Sequence, residues 1–178
     1  MSDFFCTSQN FSLPLHPYLV GHAKNPIRKE QMTKAETYQS LVPQIAALVD
    51  GETDAIAKMA NVAAALHQAF GFWWTGFYRV AGDELVLGPF QGPVACMHIP
   101  FGRGVCGTAW QRQETVIVPN VHAFAGHIAC SSESKSEIVV PVFSDGQVIA
   151  VLDIDSAAYG TFDETDQQYL EQIVNLIV

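Results

Sequence analysis

The chain has 178 residues, of which 49% are hydrophobic and 15% charged, and a formal net charge of -9. That length and apolar content suit one globular domain with its own core and exclude the disordered class. The acidic balance argues against nucleic acid, which is held by surplus Lys and Arg; no apolar run reaches spanning length and no basic amphipathic stretch occurs, which argues against a membrane.

The chain opens with MSDFFCTSQNFSLPLHPYLVGHAKNPIRKEQ, a mixture of Pro, Ser, His and aromatics with neither helical nor alternating period. Residues 1–32 are therefore expected to be a poorly ordered leader, and residues 33–178 a single domain. Met32 is a second candidate start. The leader lacks the basic, apolar and small-residue succession of a signal peptide, so the expected setting is the cytoplasm. In that reducing compartment the four cysteines do not read as a structural disulfide framework. Cys6 lies in the leader, which leaves Cys96, Cys106 and Cys130 inside the domain.

From Thr33 to Val49, residues Tyr38, Leu41, Val42, Ile45, Leu48 and Val49 recur at helical spacing, with Pro43 expected to kink or divide the helix. A second helix opens at Thr53 or Asp54, carries Ile56, Met59, Ala63, Leu66 and Phe70, and stops at Gly71. The pattern then changes to strands: FWWTGFYRV, ELVLGPF, VACMHIPF, ETVIVP, EIVVPVF and QVIAVLDID, interrupted by a short helix in GVCGTAWQRQ. A last amphipathic helix starts near Phe162 and runs through Tyr169, Leu170, Ile173 and Ile177. Helices first, strands in the middle and a helix last predict an α+β fold, a mainly antiparallel sheet with helices packed on one face. The other face is then open to a ligand.

The stretch EIVVPVFSDGQVIAVLDID reads as a hairpin. A three-residue loop of Ser144, Asp145 and Gly146 pairs Phe143 with Gln147 and sets Glu137 opposite Asp153. With period-two alternation Asp155 shares that face, and three carboxylates gather at the open end. A two-residue loop slips the register and turns Glu137 to the other face. Clustered carboxylates raise each other's proton affinity, which yields a site able to bind an ammonium group and to donate a proton. The alternative is a solvated strand end with ordinary acids.

In FWWTGFYRV, Trp74 and Tyr78 share one face while Trp73, Phe77 and Arg79 share the other. Strand aromatics are more often core than ligand wall, so Trp74 and Tyr78 become binding residues only if their face is the one without helices. Cys130 sits in a long polar loop whose amides, Ser131, Ser132 and Lys135 favour a thiolate, whereas Cys106, close to a helix start, reads as a small buried apolar residue. Cys96 with His98, and His122, His127 and Cys130, do not form a paired zinc pattern, so no metal site is expected.

GRGVCGTAW, VIAVLDIDS and FDETDQQYLEQI resemble the signature segments of GAF domains, from Thr33 onward. WWTGFY, GPVACMHIPFGRGVCG, HIACSSESKSEIVVPV and LDIDS together resemble the free methionine-(R)-sulfoxide reductases, enzymes of that fold. The resemblance implies a GAF-like sheet of about six strands and reduction of free L-methionine (R)-sulfoxide to L-methionine. It implies that Cys130 attacks the sulfoxide and becomes a sulfenic acid, that Cys96 resolves it as a disulfide, and that Cys106 is the third family cysteine. It assigns Trp74 and Tyr78 to the S-methyl group, and Glu137, Asp153 and Asp155 to the polar groups and proton delivery. No bound cofactor is implied; thioredoxin, coupled to NADPH, is the implied external reductant. A homodimer is expected from the apolar stripes of the first and last helices. The competing readings are a non-catalytic GAF module that senses a small molecule, since the fold by itself does not set function, and a thiol redox sensor that acts through a partner.

Overall fold

A computed structural model of the chain describes residues 32–128 and 131–178. Apart from Met32, the expected leader lies outside the described residues, as does Cys130.

Thr33 starts α1 (Lys34–Val49) with a capping box: its hydroxyl takes the Glu36 amide while the Glu36 carboxylate takes the Thr33 amide. The helix buries Tyr38, Leu41, Ile45 and Val49, one stripe at intervals of three and four. Pro43 lies inside this single helix on its exposed side and does not divide it. Asp54 caps α2 (Ala55–Phe70), and Gly71 ends it in the left-handed region at φ 65°, where a side chain would be strained. The buried stripe of α2 is Met59, Val62, Ala63 and Leu66; Ile56, expected inside, is 42% exposed.

Six strands follow: β1 (Trp74–Ala81), β2 (Glu84–Gln91), β3 (His98–Pro100), β4 (Val116–Val118), β5 (Ser136–Ser144) and β6 (Gln147–Ser156). They form one sheet in the order β3-β2-β1-β6-β5-β4, and every neighbouring pair is antiparallel. β4 covers β5 only over Glu137–Val139, so Pro141 falls where β5 has become an edge and its missing N–H breaks no ladder.

Alternation divides the sheet into two apolar layers. Phe77, Ile138, Val140, Val142, Ala150, Leu152 and Ile154 face α1, α2 and α4 (Glu164–Val174) and form the larger core. Trp74, Tyr78, Val139 and Val151 face the other way. That second face is not bare as expected: α3 (Gly104–Arg112) and a short helical turn at Val121–Ala123 lie over it. A cavity remains between this cover and the strands.

Asp166, in the first turn of α4 and fully buried, accepts hydrogen bonds from Tyr38 Oη at 2.9 Å and from Lys34 Nζ. Lys34 also donates to Asp163 Oδ2 and Thr161 O, both at 2.9 Å. The start of α1 is thereby fastened to the start of α4.

Candidate active site

The floor of the cavity is set by the β5–β6 hairpin, and its turn differs from the expected one. Asp145 and Gly146 both have positive φ, 50° and 76°, and form a two-residue turn with Ser144 opposite Gln147. A second one-residue slip in the same direction follows one step later: Phe143 pairs with Val148 but Val142 pairs with Ala150, leaving Ile149 as an extra residue in β6. The bulge restores the original parity. Glu137 therefore lies opposite Asp155, not Asp153, whose cross-strand partner is Val139, yet all three carboxylates line the cavity.

The rows continue into β1, where Trp74 pairs with Asp155, Gly76 with Asp153 and Tyr78 with Val151. Trp74 and Tyr78 thus form an aromatic wall beside the acids, their ring centroids 5.9 Å apart, with Phe90 stacked on Trp74 at 5.4 Å. A Cβ on Gly76 would lie 2.5 Å from Trp74 Cη2 and 2.4 Å from Phe90 Cβ, so the wall requires glycine there. Both aromatic residues also hold the β2–β3 loop: the Trp74 indole N–H donates to Pro93 O at 3.1 Å and the Tyr78 hydroxyl to Cys96 O at 2.9 Å.

Glu137 and Asp153 are each 6% exposed. Among the described residues, no Lys or Arg makes a salt bridge with Glu137, Asp153 or Asp155; the nearest basic group is His127 Nε2, 4.0 Å from Glu137 Oε2. Burial first, then the neighbouring Asp153 and Asp155 charges, hold the Glu137 carboxyl well above the ordinary range. Burial and then Asp155 do the same to Asp153. Burial raises Asp155 to about 6, and a hydrogen bond with Ser134 offsets part of the rise. Oδ1 of Asp153 is buried without a hydrogen-bond partner, which leaves an acceptor unmet by the protein itself.

Cys106, in the first turn of α3, is a free thiol and 3% exposed. It packs with Val105 and Ala109, as a small apolar residue does, but its sulfur also lies 3.9 Å from Glu137 Oε1. Burial, then the charges of Asp153 and Glu137, push the thiol well above its ordinary pKa, so a nucleophilic thiolate is disfavoured here. Cys96 is disulfide-bonded. His98 meets the exposed Glu84 through Nδ1 at 2.9 Å on the surface.

Trp73, His127, Ser131 and Ser134 also line the cavity. Alternation assigned Trp73 to the opposite face, but β1 begins at Trp74 and the period does not extend to the residue before it. The Trp73 indole N–H donates to Ser131 Oγ at 3.3 Å, tying the start of β1 to the loop that carries Ser131. His127 and Ser134 belong to an aperiodic segment, where no spacing rule reports direction; the only signal was the concentration of polar residues in one long loop.

The profile of the GAF domain family matches residues 51–178. The chain is 57% identical over 146 residues to "GAF domain-containing protein A" of Dictyostelium discoideum, covering 82% of this chain and 92% of that one. It is 49% identical over 144 residues to the free methionine-R-sulfoxide reductase of Escherichia coli (strain K12), covering 80% and 87% of the two chains. Among solved structures, the free methionine-R-sulfoxide reductase of Neisseria meningitidis in complex with its substrate superposes with a TM-score of 0.81 at 55% identity, over 83% of this chain and 89% of that one.

Proposed function

This chain belongs to the GAF-domain free methionine-R-sulfoxide reductases, and we propose on that premise that it reduces free L-methionine (R)-sulfoxide to L-methionine with thiols as the electron source. The observation that carries the reading is the buried carboxylate group without a Lys or Arg partner, set beside an aromatic wall. A free amino acid brings the missing positive charge as its α-ammonium, and its S-methyl end is apolar. A methionine inside a polypeptide has no such ammonium, so the acids select the free amino acid.

Reduction of a sulfoxide requires that its oxygen be protonated as the S–O bond breaks. Carboxyl groups held protonated near neutral pH by burial and mutual repulsion suit that donation. In the proposed sequence the Cys130 thiolate attacks the sulfoxide sulfur, methionine leaves, and the oxygen remains on Cys130 as a sulfenic acid. Cys96 then displaces water to form a disulfide, and a dithiol such as thioredoxin restores both thiols by exchange. The disulfide-bonded state of Cys96 supports a redox role for it. The raised pKa of Cys106 favours its protonated form, in keeping with a thiol that shapes the acid pocket.

The deciding assay is thioredoxin-coupled NADPH oxidation with separate R and S isomers of free methionine sulfoxide, beside a Cys130→Ser variant. Turnover restricted to the R isomer and abolished in the variant is expected. No turnover with either isomer by fully reduced protein would return the chain to the sensing modules. A cytoplasmic homodimer completes the proposal. The stripes of α1 and α4 that suggested pairing are spent in the chain's own core, so pairing has to use exposed apolar residues such as Leu48 and Val178; a solution mass of one chain at micromolar concentration would remove it.

A further inference from the structure

We propose that Cys106, Glu137 and Asp153 form a binding site for a thiophilic divalent cation of the zinc class, and that the ion excludes the substrate ammonium when it is bound. The exclusion rests on the function proposed above; the cation site itself does not.

One ligand atom from each of the three side chains lies within 4.8 Å of the others, and all three residues are buried. The sulfur is 3.9 Å from Glu137 Oε1. A tetrahedral zinc with sulfur at about 2.3 Å and oxygen at about 2.0 Å sets those two atoms about 3.5 Å apart, close to the separation found here. The buried and unpartnered Oδ1 of Asp153 points independently to a missing ligand. The cavity these residues line gives an ion a way in.

Ligand chemistry selects the ion. A thiol with two carboxylates is a mixed soft and hard set that suits zinc, and three protein ligands leave a fourth position for water. Calcium and magnesium require about six oxygen ligands and gain little from sulfur. Binding releases the Cys106 proton, together with any proton held on the two carboxyl groups, so affinity increases with pH. The same negative charge that waits for an ammonium thereby accepts a competing dication, and the site acts as a point of inhibition by metal, not as a seat for a cofactor.

Cobalt(II) is the probe, because a thiolate bound to it gives a sulfur-to-metal charge-transfer absorption. The full chain, with its Cys96 disulfide intact, is titrated with cobalt chloride, then with methionine. The expected result is one strong site, an absorption band lost in Cys106→Ser, at least tenfold weaker binding in Glu137→Gln, and displacement of the ion by methionine. Circular dichroism of both variants establishes that they are folded, and either one alone carries the test. Absence of the band, or its persistence in folded Cys106→Ser, overturns the site. A band that methionine does not disturb overturns the exclusion. The metal-free reductase assay is a separate measurement, so failure of turnover leaves the cobalt result standing, and the reverse.

Discussion

At the residue scale the site depends on three acids with restricted access to water, Glu137 and Asp153 buried and Asp155 half-buried. A charge-assisted hydrogen bond contributes about 1.5–3 kcal/mol, so removing one from the bound ammonium is expected to lower kcat/KM for free methionine (R)-sulfoxide by about tenfold or more. Asp153→Asn is the clean case because its Oδ1 has no partner within the protein; steady-state kinetics within twofold of the parent would remove Asp153 from the binding group. The same acids cost stability. Asp155 is raised from 3.8 to about 6, so the folded chain holds this proton more tightly than the unfolded chain. Between those values the native state binds more protons, and stability falls as pH rises through the window. Asp155→Asn should therefore melt at a higher temperature than the parent at pH 8, with the difference shrinking as pH drops below 6. An equal difference at pH 8 and pH 5 in thermal scans would show that the carboxylate charge is not the cause. The sequence disclosed the identity of these acids and their common face, because alternation along β6 is regular from Val151 to Asp155. It did not disclose their burial, which comes from α3 and the aperiodic loop lying over them.

At the scale of elements, local chemistry made most of the fold readable. The apolar spacing from Thr33 to Val49, the helix opening at Asp54, the stop at Gly71 and the β-branched strands each reported their own element, since those signals act within a turn or two of chain. The β5–β6 hairpin marks where this ends. Its turn type and the bulge at Ile149 each shift the register by one residue in the same direction, and the carboxylates feel only the sum, a two-residue shift that keeps their face and changes their partners. A correct face was thus reached through an incorrect pairing. Helix docking was equally hidden. Lys34 and Asp166 are 132 residues apart, and nothing local signals that they meet. Their contact carries the next prediction. Lys34→Ala leaves the Asp166 carboxylate buried without its cation, and breaking a buried pair in this way costs about 3–5 kcal/mol. Lys34 is about one-third exposed, which places the expected loss at the lower end, about 3 kcal/mol. Urea denaturation is the check; a midpoint within error of the parent would mean that water replaces the ammonium at no cost. Asp166→Asn combined with Lys34→Ala should recover part of the loss, because the stranded charge is gone.

At the scale of the whole molecule, the ligand and the fold share one electrostatic problem. The empty chain keeps Glu137, Asp153 and Asp155 either protonated or mutually repelled, and under the proposed function an incoming ammonium would relieve both conditions at once. Ligand that binds only the native state adds about 2.7 kcal/mol at a hundredfold excess over Kd, and for a chain of this length each kcal/mol moves the melting temperature by about 2–4 °C. Saturating methionine, the reaction product, is therefore expected to raise the midpoint by about 5–10 °C. N-acetylmethionine has the same S-methyl end but no ammonium, and should give little or no shift at the same concentration. The contrast separates the two ends of the pocket: the aromatic wall of Trp74 and Tyr78 is offered the same apolar group in both cases, so any difference belongs to the acids. Equal shifts would assign the binding energy to the aromatic wall and leave the acids to proton delivery alone. The difference should also depend on pH in a defined direction. Above pH 6 a larger share of the acids is ionised in the empty protein, the stored repulsion is greater, and its release by an ammonium is worth more. Methionine should therefore stabilise the chain more at pH 8 than at pH 5.5, whereas the shift from N-acetylmethionine should be the smaller at both pH values.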